Sequence, residues 1–76
     1  MMAIAFVLIN AEIGVEGEVL EELGAIQEVK ETYMIYGVSD IIARVEAVDM
    51  KALKDVVSRK IRSLEKVRST LTLICM

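Results

Sequence analysis

Seventy-six residues suffice for one domain, 1–76, and for no second. Such a chain hides only about 60–65% of its unfolded surface, yet 55% of its residues are apolar, a surplus that points to a subunit interface. A net charge of −3 with interspersed signs lacks the basic patch of a nucleic-acid binder, and charges interrupt every apolar run well short of the roughly 18 residues a membrane span needs.

The first element expected is a strand over Ala3–Ala11, almost wholly apolar and bounded by polar residues. Met1–Asn10 has no basic start and is too short for a secretion signal. Glu12–Gly14 turns into a helix over Val15–Leu23, with Val15, Val19 and Leu23 on one stripe. Gly24 is expected to end it with a positive φ. A second strand over Glu28–Tyr36 meets a third over Asp40–Val48 through Gly37-Val38-Ser39, a turn-forming trio. Asp49 suits the N-cap of a second helix, whose buried stripe is Leu53, Val56, Val57, Ile61 and Leu64. A fourth strand runs over Val67–Cys75. Cys75 is the one cysteine, which rules out an internal disulfide and fits a reducing cytoplasm; it is expected to be a small core or interface residue.

The two halves repeat. A shift of 38 places Ile4 on Ile42, Val7 on Val45, Val19 on Val57, Leu23 on Ile61 and Val29 on Val67. Two strand–helix–strand units in tandem make an α+β, ferredoxin-like βαββαβ domain, with two helices on one face of an antiparallel sheet of order 4-1-3-2. The repeat is even, so Val7, Val29, Val45 and Val67 share the helix side. The opposite face then carries Ile4, Phe6 and Leu8, flanked by Thr32, Met34, Tyr36, Ile42, Arg44, Glu46, Thr70, Thr72 and Ile74. An uncovered apolar strip in mid-sheet calls for a second copy, a homodimer packed sheet on sheet through Ile4, Phe6, Leu8, Met34, Ile42 and Arg44.

Chemical equipment is sparse. There is no His, no cysteine pair and no nucleophile constellation, so no catalytic residue, metal or cofactor is expected. Arg44 and Glu46 share a strand face and read best as an interface or surface ion pair.

Ala5-Phe6-Val7-Leu8-Ile9, Val29-Lys30-Glu31-Thr32-Tyr33, Tyr36-Gly37-Val38-Ser39-Asp40-Ile41-Ile42-Ala43-Arg44-Val45 and Thr70-Leu71-Thr72-Leu73-Ile74, in that order and spacing, resemble the ligand-sensing RAM domain of the leucine-responsive regulator/AsnC (Lrp/AsnC) family. The resemblance covers essentially the whole chain, without the helix-turn-helix reader that family members usually carry. It implies a stand-alone, cytoplasmic, non-enzymatic domain that assembles beyond a dimer and takes an amino-acid effector between subunits near the second hairpin. A full-length regulator of the same family is the partner it implies. The family's hairpin often has an acidic and an aromatic residue where this chain has Val38 and Ser39.

Mapped onto this chain, that site uses Asp40 for the effector's ammonium. Backbone N–H groups at Gly37, Val38 and Ser39 serve the carboxylate, Thr70 and Thr72 supply hydroxyls, and Tyr36 gives an apolar wall. With strands two and four at opposite edges, the site is expected to draw on different subunits. The other readings are an assembly module with no ligand, an ACT-like regulatory domain, and a small enzyme using Asp40 or Glu46.

Overall fold

The computed structural model describes residues 2–76. Strands β1 (Ala3–Ala11), β2 (Val29–Met34), β3 (Ile41–Ala47) and β4 (Val67–Ile74) form one antiparallel sheet of order β2-β3-β1-β4. Helix α1 (Glu16–Gly24) joins β1 to β2, and α2 (Met50–Asp55) runs on into a π-helical segment, Val56–Ile61, before β4. This is the expected ferredoxin-like topology.

Its core lies between the helices and one sheet face. Ala5, Val7, Ile9 and Ala11 of β1 alternate inward with Ile41, Ala43, Val45 and Ala47 of β3. Val19 and Leu23 of α1 and Leu53, Val56, Val57 and Ile61 of the second helix close over them. A π turn spaces neighbouring side chains at a smaller angle than an α turn, which suits two adjacent valines that are both buried. The wider turn is visible in the Arg62 N–H, which donates to the Val57 carbonyl, five residues back, at 2.9 Å. Asp49 caps α2, its Oδ1 accepting from the Ala52 N–H at 2.8 Å.

Gly24 departs from expectation. It stays inside α1, and the C-cap Ala25 is right-handed (φ −82). The helix ends instead by tightening, with N–H bonds from Ala25 to Glu22 and from Ile26 to Leu23. Positive φ occurs at Gly14 (+88), in the turn into α1, and at Gly37 (+135), in the hairpin, where a side chain would be strained.

The facing of the two outer strands is also corrected. Opposite β1, Val67 pairs with Ala11 and Ser69 with Asn10, so Arg68 is an extra residue. Opposite β3, Val29 pairs with Val45 and Glu31 with Arg44, so Lys30 is extra. Each bulge shifts the alternation by one and turns every later side chain to the other face. Thr32, Met34, Thr70, Thr72 and Ile74 therefore lie on the helix side, against expectation. Tyr33, Leu71 and Leu73 lie on the open side. Met34 leaves the expected interface, and Tyr36 stands beyond the end of β2, fully exposed.

The open face now reads as two full rows across the sheet, with Glu46 beside Ile4 in part of a third. Tyr33, Ile42, Leu8 and Leu71 form one, and Glu31, Arg44, Phe6 and Leu73 the other. Ile4, Phe6, Leu8 and Ile42 are half-buried by their neighbours alone, while Tyr33, Leu71 and Leu73 are at least half exposed. Cys75 is exposed and not a core residue; its N–H bonds to the Ile4 carbonyl at 2.9 Å, which continues the ladder beside the open face.

Candidate functional site

Three strand ends meet at one end of the sheet: the end of β1, the start of β3 and the start of β4. Asp40 stands at the entry to β3, where its N–H bonds to the Ile9 carbonyl and its Oδ2 accepts the Ala11 N–H at 3.0 Å. Across β1, Asn10 Nδ2 donates to Ser69 Oγ at 3.0 Å. Beside Ser69 is Arg68, the extra residue of the β4 bulge. Asn10, Ile13, Val38, Asp40, Arg68 and Ser69 line a groove of about 440 Å³. Ile13 and Val38 are almost fully exposed, at 90% and 92%.

This groove brings together the parts an α-amino acid needs. A carboxylate (Asp40) suits an ammonium, and a guanidinium (Arg68) suits a carboxylate. A hydroxyl and an amide sit between them, and two bare apolar side chains wait for a third group. All of them come from one chain. Within one chain Thr70 and Thr72 do not meet the hairpin, with β2 and β4 at opposite edges of the sheet; what reaches Asp40 from β4 is Arg68 and Ser69, across the end of β1.

The sequence-based site residues separate into five places. Val38 and Asp40 line the groove. Tyr36 and Gly37 lie in the wide 35–40 connection, which is closed by the Ile35 N–H to Asp40 carbonyl bond at 2.9 Å, outside the lining of the Asp40 groove. Ser39 is buried beneath it. Thr72 faces a mostly apolar groove with Leu53, Val57 and Ile74, and Thr70 lies beside Arg62 and Arg68. Sequence reasoning missed Asn10, Ile13, Arg68 and Ser69. One signal was available: Asn10 is the first polar residue after the apolar run Ala3–Ile9.

Elsewhere, charges neutralise one another. Arg44 Nε bonds Glu31 Oε1 at 2.6 Å, its Nη1 pairs with Glu46, and Tyr33 OH donates to Glu31 Oε2 at 3.2 Å. The Arg44 bond, then that from Tyr33, holds the Glu31 carboxyl below its usual range; the same contact with Glu31 pushes the Tyr33 phenol up. Arg44 and Glu46 are thus parts of an ion-pair network. A shallow depression along α2 is lined by side chains of both signs, with Arg59 and Asp55 paired at 2.8 Å. Among the described residues, no group of three or more His, Cys, Asp or Glu could hold a metal ion. No helix among the described residues is long and apolar enough to cross a membrane.

The family model for the Lrp/AsnC ligand-binding domain matches residues 4–76. The chain belongs to the Lrp/AsnC ligand-binding domain family. Among solved structures, this Lrp/AsnC domain superposes on FFRP-DM1 with a TM-score of 0.94 and 39% identity, covering 97% of this chain and 99% of that one. A hypothetical protein from Pyrococcus horikoshii is also 39% identical, with a TM-score of 0.91 and coverage of 100% and 90%. A feast or famine regulatory protein from M. tuberculosis, complexed with L-methionine, is 28% identical with a TM-score of 0.81. The match covers 97% of this chain and 50% of that regulator. A comparison with curated proteins finds no match. The Lrp/AsnC assignment makes this a regulatory ligand-binding domain by family.

Proposed function

We propose that this Lrp/AsnC domain is an amino-acid sensor whose effector sits in the groove at the ends of β1, β3 and β4. The observation that carries the reading is the pairing of opposite charges on one groove, Asp40 beside β1 and Arg68 on the β4 bulge. Asp40 holds the ammonium, Arg68 the carboxylate, and the effector's side chain rests on Ile13 and Val38. The two apolar contacts favour an aliphatic or thioether side chain over a charged one. The L-methionine complex of the M. tuberculosis relative supports the same ligand class.

Two chains pair through their open faces in this reading. Seven apolar side chains on that face (Ile4, Phe6, Leu8, Tyr33, Ile42, Leu71 and Leu73) have no helix over them, and a second identical face covers them at the usual spacing of about 10 Å. The Arg44 network then enters the interface already paired, which limits the cost of removing it from water. The bound domain acts in the cytoplasm, on a full-length Lrp/AsnC-type regulator.

Calorimetry with the common amino acids tests the ligand. A saturable heat with an aliphatic or thioether amino acid, lost for its decarboxylated amine, is the expected result. No heat with any amino acid would leave an assembly module without an effector.

A further inference from the structure

Arg68 lines a second groove on its other side. Arg62, Val67, Arg68, Ser69 and Thr70 enclose about 260 Å³, and no carboxylate is among them. The ion pairs among the described residues engage Arg44, Arg59, Lys60 and Lys66, so that of the four arginines Arg62 and Arg68 are unpaired, as are Lys30, Lys51 and Lys54. Two local irregularities bring these guanidiniums together. The π-helical segment ends at Arg62, and the β-bulge makes Arg68 the extra residue of β4. Both kinds of irregularity are used in proteins to re-aim side chains.

We propose that Arg62, Arg68, Ser69 and Thr70 form a binding site for a small phosphate-type dianion, adjoining the amino-acid groove and sharing Arg68 with it. The chemistry favours a tetrahedral anion over a carboxylate. Two planar forks each present paired N–H donors, and two hydroxyls add further donors. A carboxylate has two oxygens to offer this set, whereas a phosphate has three or four. The site is open to water, so binding is weak and falls with salt.

Sharing Arg68 has a regulatory consequence, which rests on the function proposed above. An anion held by Arg68 neutralises the charge that the effector's carboxylate needs and repels that carboxylate. Phosphate and amino acid therefore weaken each other's binding by the same factor.

The test titrates the full chain with inorganic phosphate and with glycerol 3-phosphate at constant ionic strength, followed by amide chemical shifts. Saturable shifts centred on 62–70 are expected with either compound, with affinity falling roughly tenfold in Arg62→Gln and recovering in part in Arg62→Lys. Shifts that do not saturate, or equal affinity in Arg62→Gln, would overturn the site. Arg62 does not line the amino-acid groove, so it also separates the two claims. For an amino acid that binds, added phosphate raises its Kd severalfold in the unmodified protein, and Arg62→Gln needs roughly ten times as much phosphate for the same rise. A Kd indifferent to phosphate in both overturns the coupling. A chain that binds phosphate but no amino acid removes the sensor reading and leaves the anion site standing.

Discussion

Asp40 fastens the start of β3 to the end of β1, its Oδ2 taking the Ala11 N–H at 3.0 Å. The same carboxylate faces the groove that holds Arg68, so its structural role and the ligand-binding role proposed for it need separating. Asp40→Asn keeps an acceptor oxygen for Ala11 and removes the charge. Folding stability should change little, while amino-acid affinity falls roughly ten- to a hundredfold, the worth of a charge-assisted bond. Asp40→Ala loses both roles and should also cost about 1–2 kcal/mol of stability. Thr72→Val lies in a different groove and should leave affinity unchanged. Calorimetry and urea melts on the three variants check this; equal affinity in Asp40→Asn and the unmodified chain would reduce Asp40 to a strand clip.

Assembly through the open face is checked by light scattering, which should give a mass above the 8.4 kDa of one chain. Phe6→Asp places an unpaired carboxylate in the centre of that face and should abolish pairing, and folding with it if the monomer is marginal. Leu71→Glu is the cleaner variant. Leu71 is already 58% exposed within one chain, so the substitution should spare the fold and still disperse the dimer. A Leu71→Glu protein of unchanged mass would move the interface elsewhere.

Acid should weaken the molecule through two carboxylates. Glu28 is held below its ordinary value of 4.5 chiefly by the bond from Lys60, and Glu31 chiefly by that from Arg44. A depressed folded-state pKa means stability that is present above the unfolded value and lost as pH falls through the folded one. Denaturant midpoints should therefore hold from neutrality to about pH 5 and decline below 4.5. In Glu28→Gln with Glu31→Gln, the midpoint near neutrality should drop and the acid decline become shallower. An equally steep decline in the double variant would assign it to other groups.

Two aspartates at the second helix should differ in weight. Asp49 caps α2 through Ala52, and Asp49→Ala should cost about 1 kcal/mol, a fall of roughly 4–8 °C in Tm for a domain of this size. Asp55 pairs with Arg59 on the exposed surface, and Asp55→Ala should cost only about 0.3–0.5 kcal/mol. Thermal melts rank them; a larger drop for Asp55→Ala would mean the exposed pair outweighs the cap.

Element order, sheet order and the facing of β1 and β3 were all legible, because Ala5, Val7 and Ile9 alternate against Ala43 and Val45 with no interruption. The facing of β2 and β4 was not. A bulge adds one residue without leaving a periodic trace, and Thr70 and Thr72 fit either side of an edge strand as comfortably as Leu71 and Leu73. Only the repeat held a hint, in the basic residues Lys30 and Arg68 at matching places. The same slip hid half of the candidate site: Asp40 could be read from the hairpin, but Arg68 joins it only because the bulge redirects the start of β4. Gly24 misled for another reason. A glycine at a helix end permits a left-handed cap without compelling one, and the tightened last turn satisfies the same carbonyls.

Lys30 and Arg68 also occupy the two outer strands of the sheet, β2 and β4. A bare sheet edge is a template on which further chains can add, and that route leads to fibres. Here each edge is broken by a bulge and carries a cation at the break. Strand addition from either side meets an interrupted ladder and a charge that an identical edge would repel. A chain this rich in apolar residues is thereby steered away from open-ended polymerisation along its strand edges.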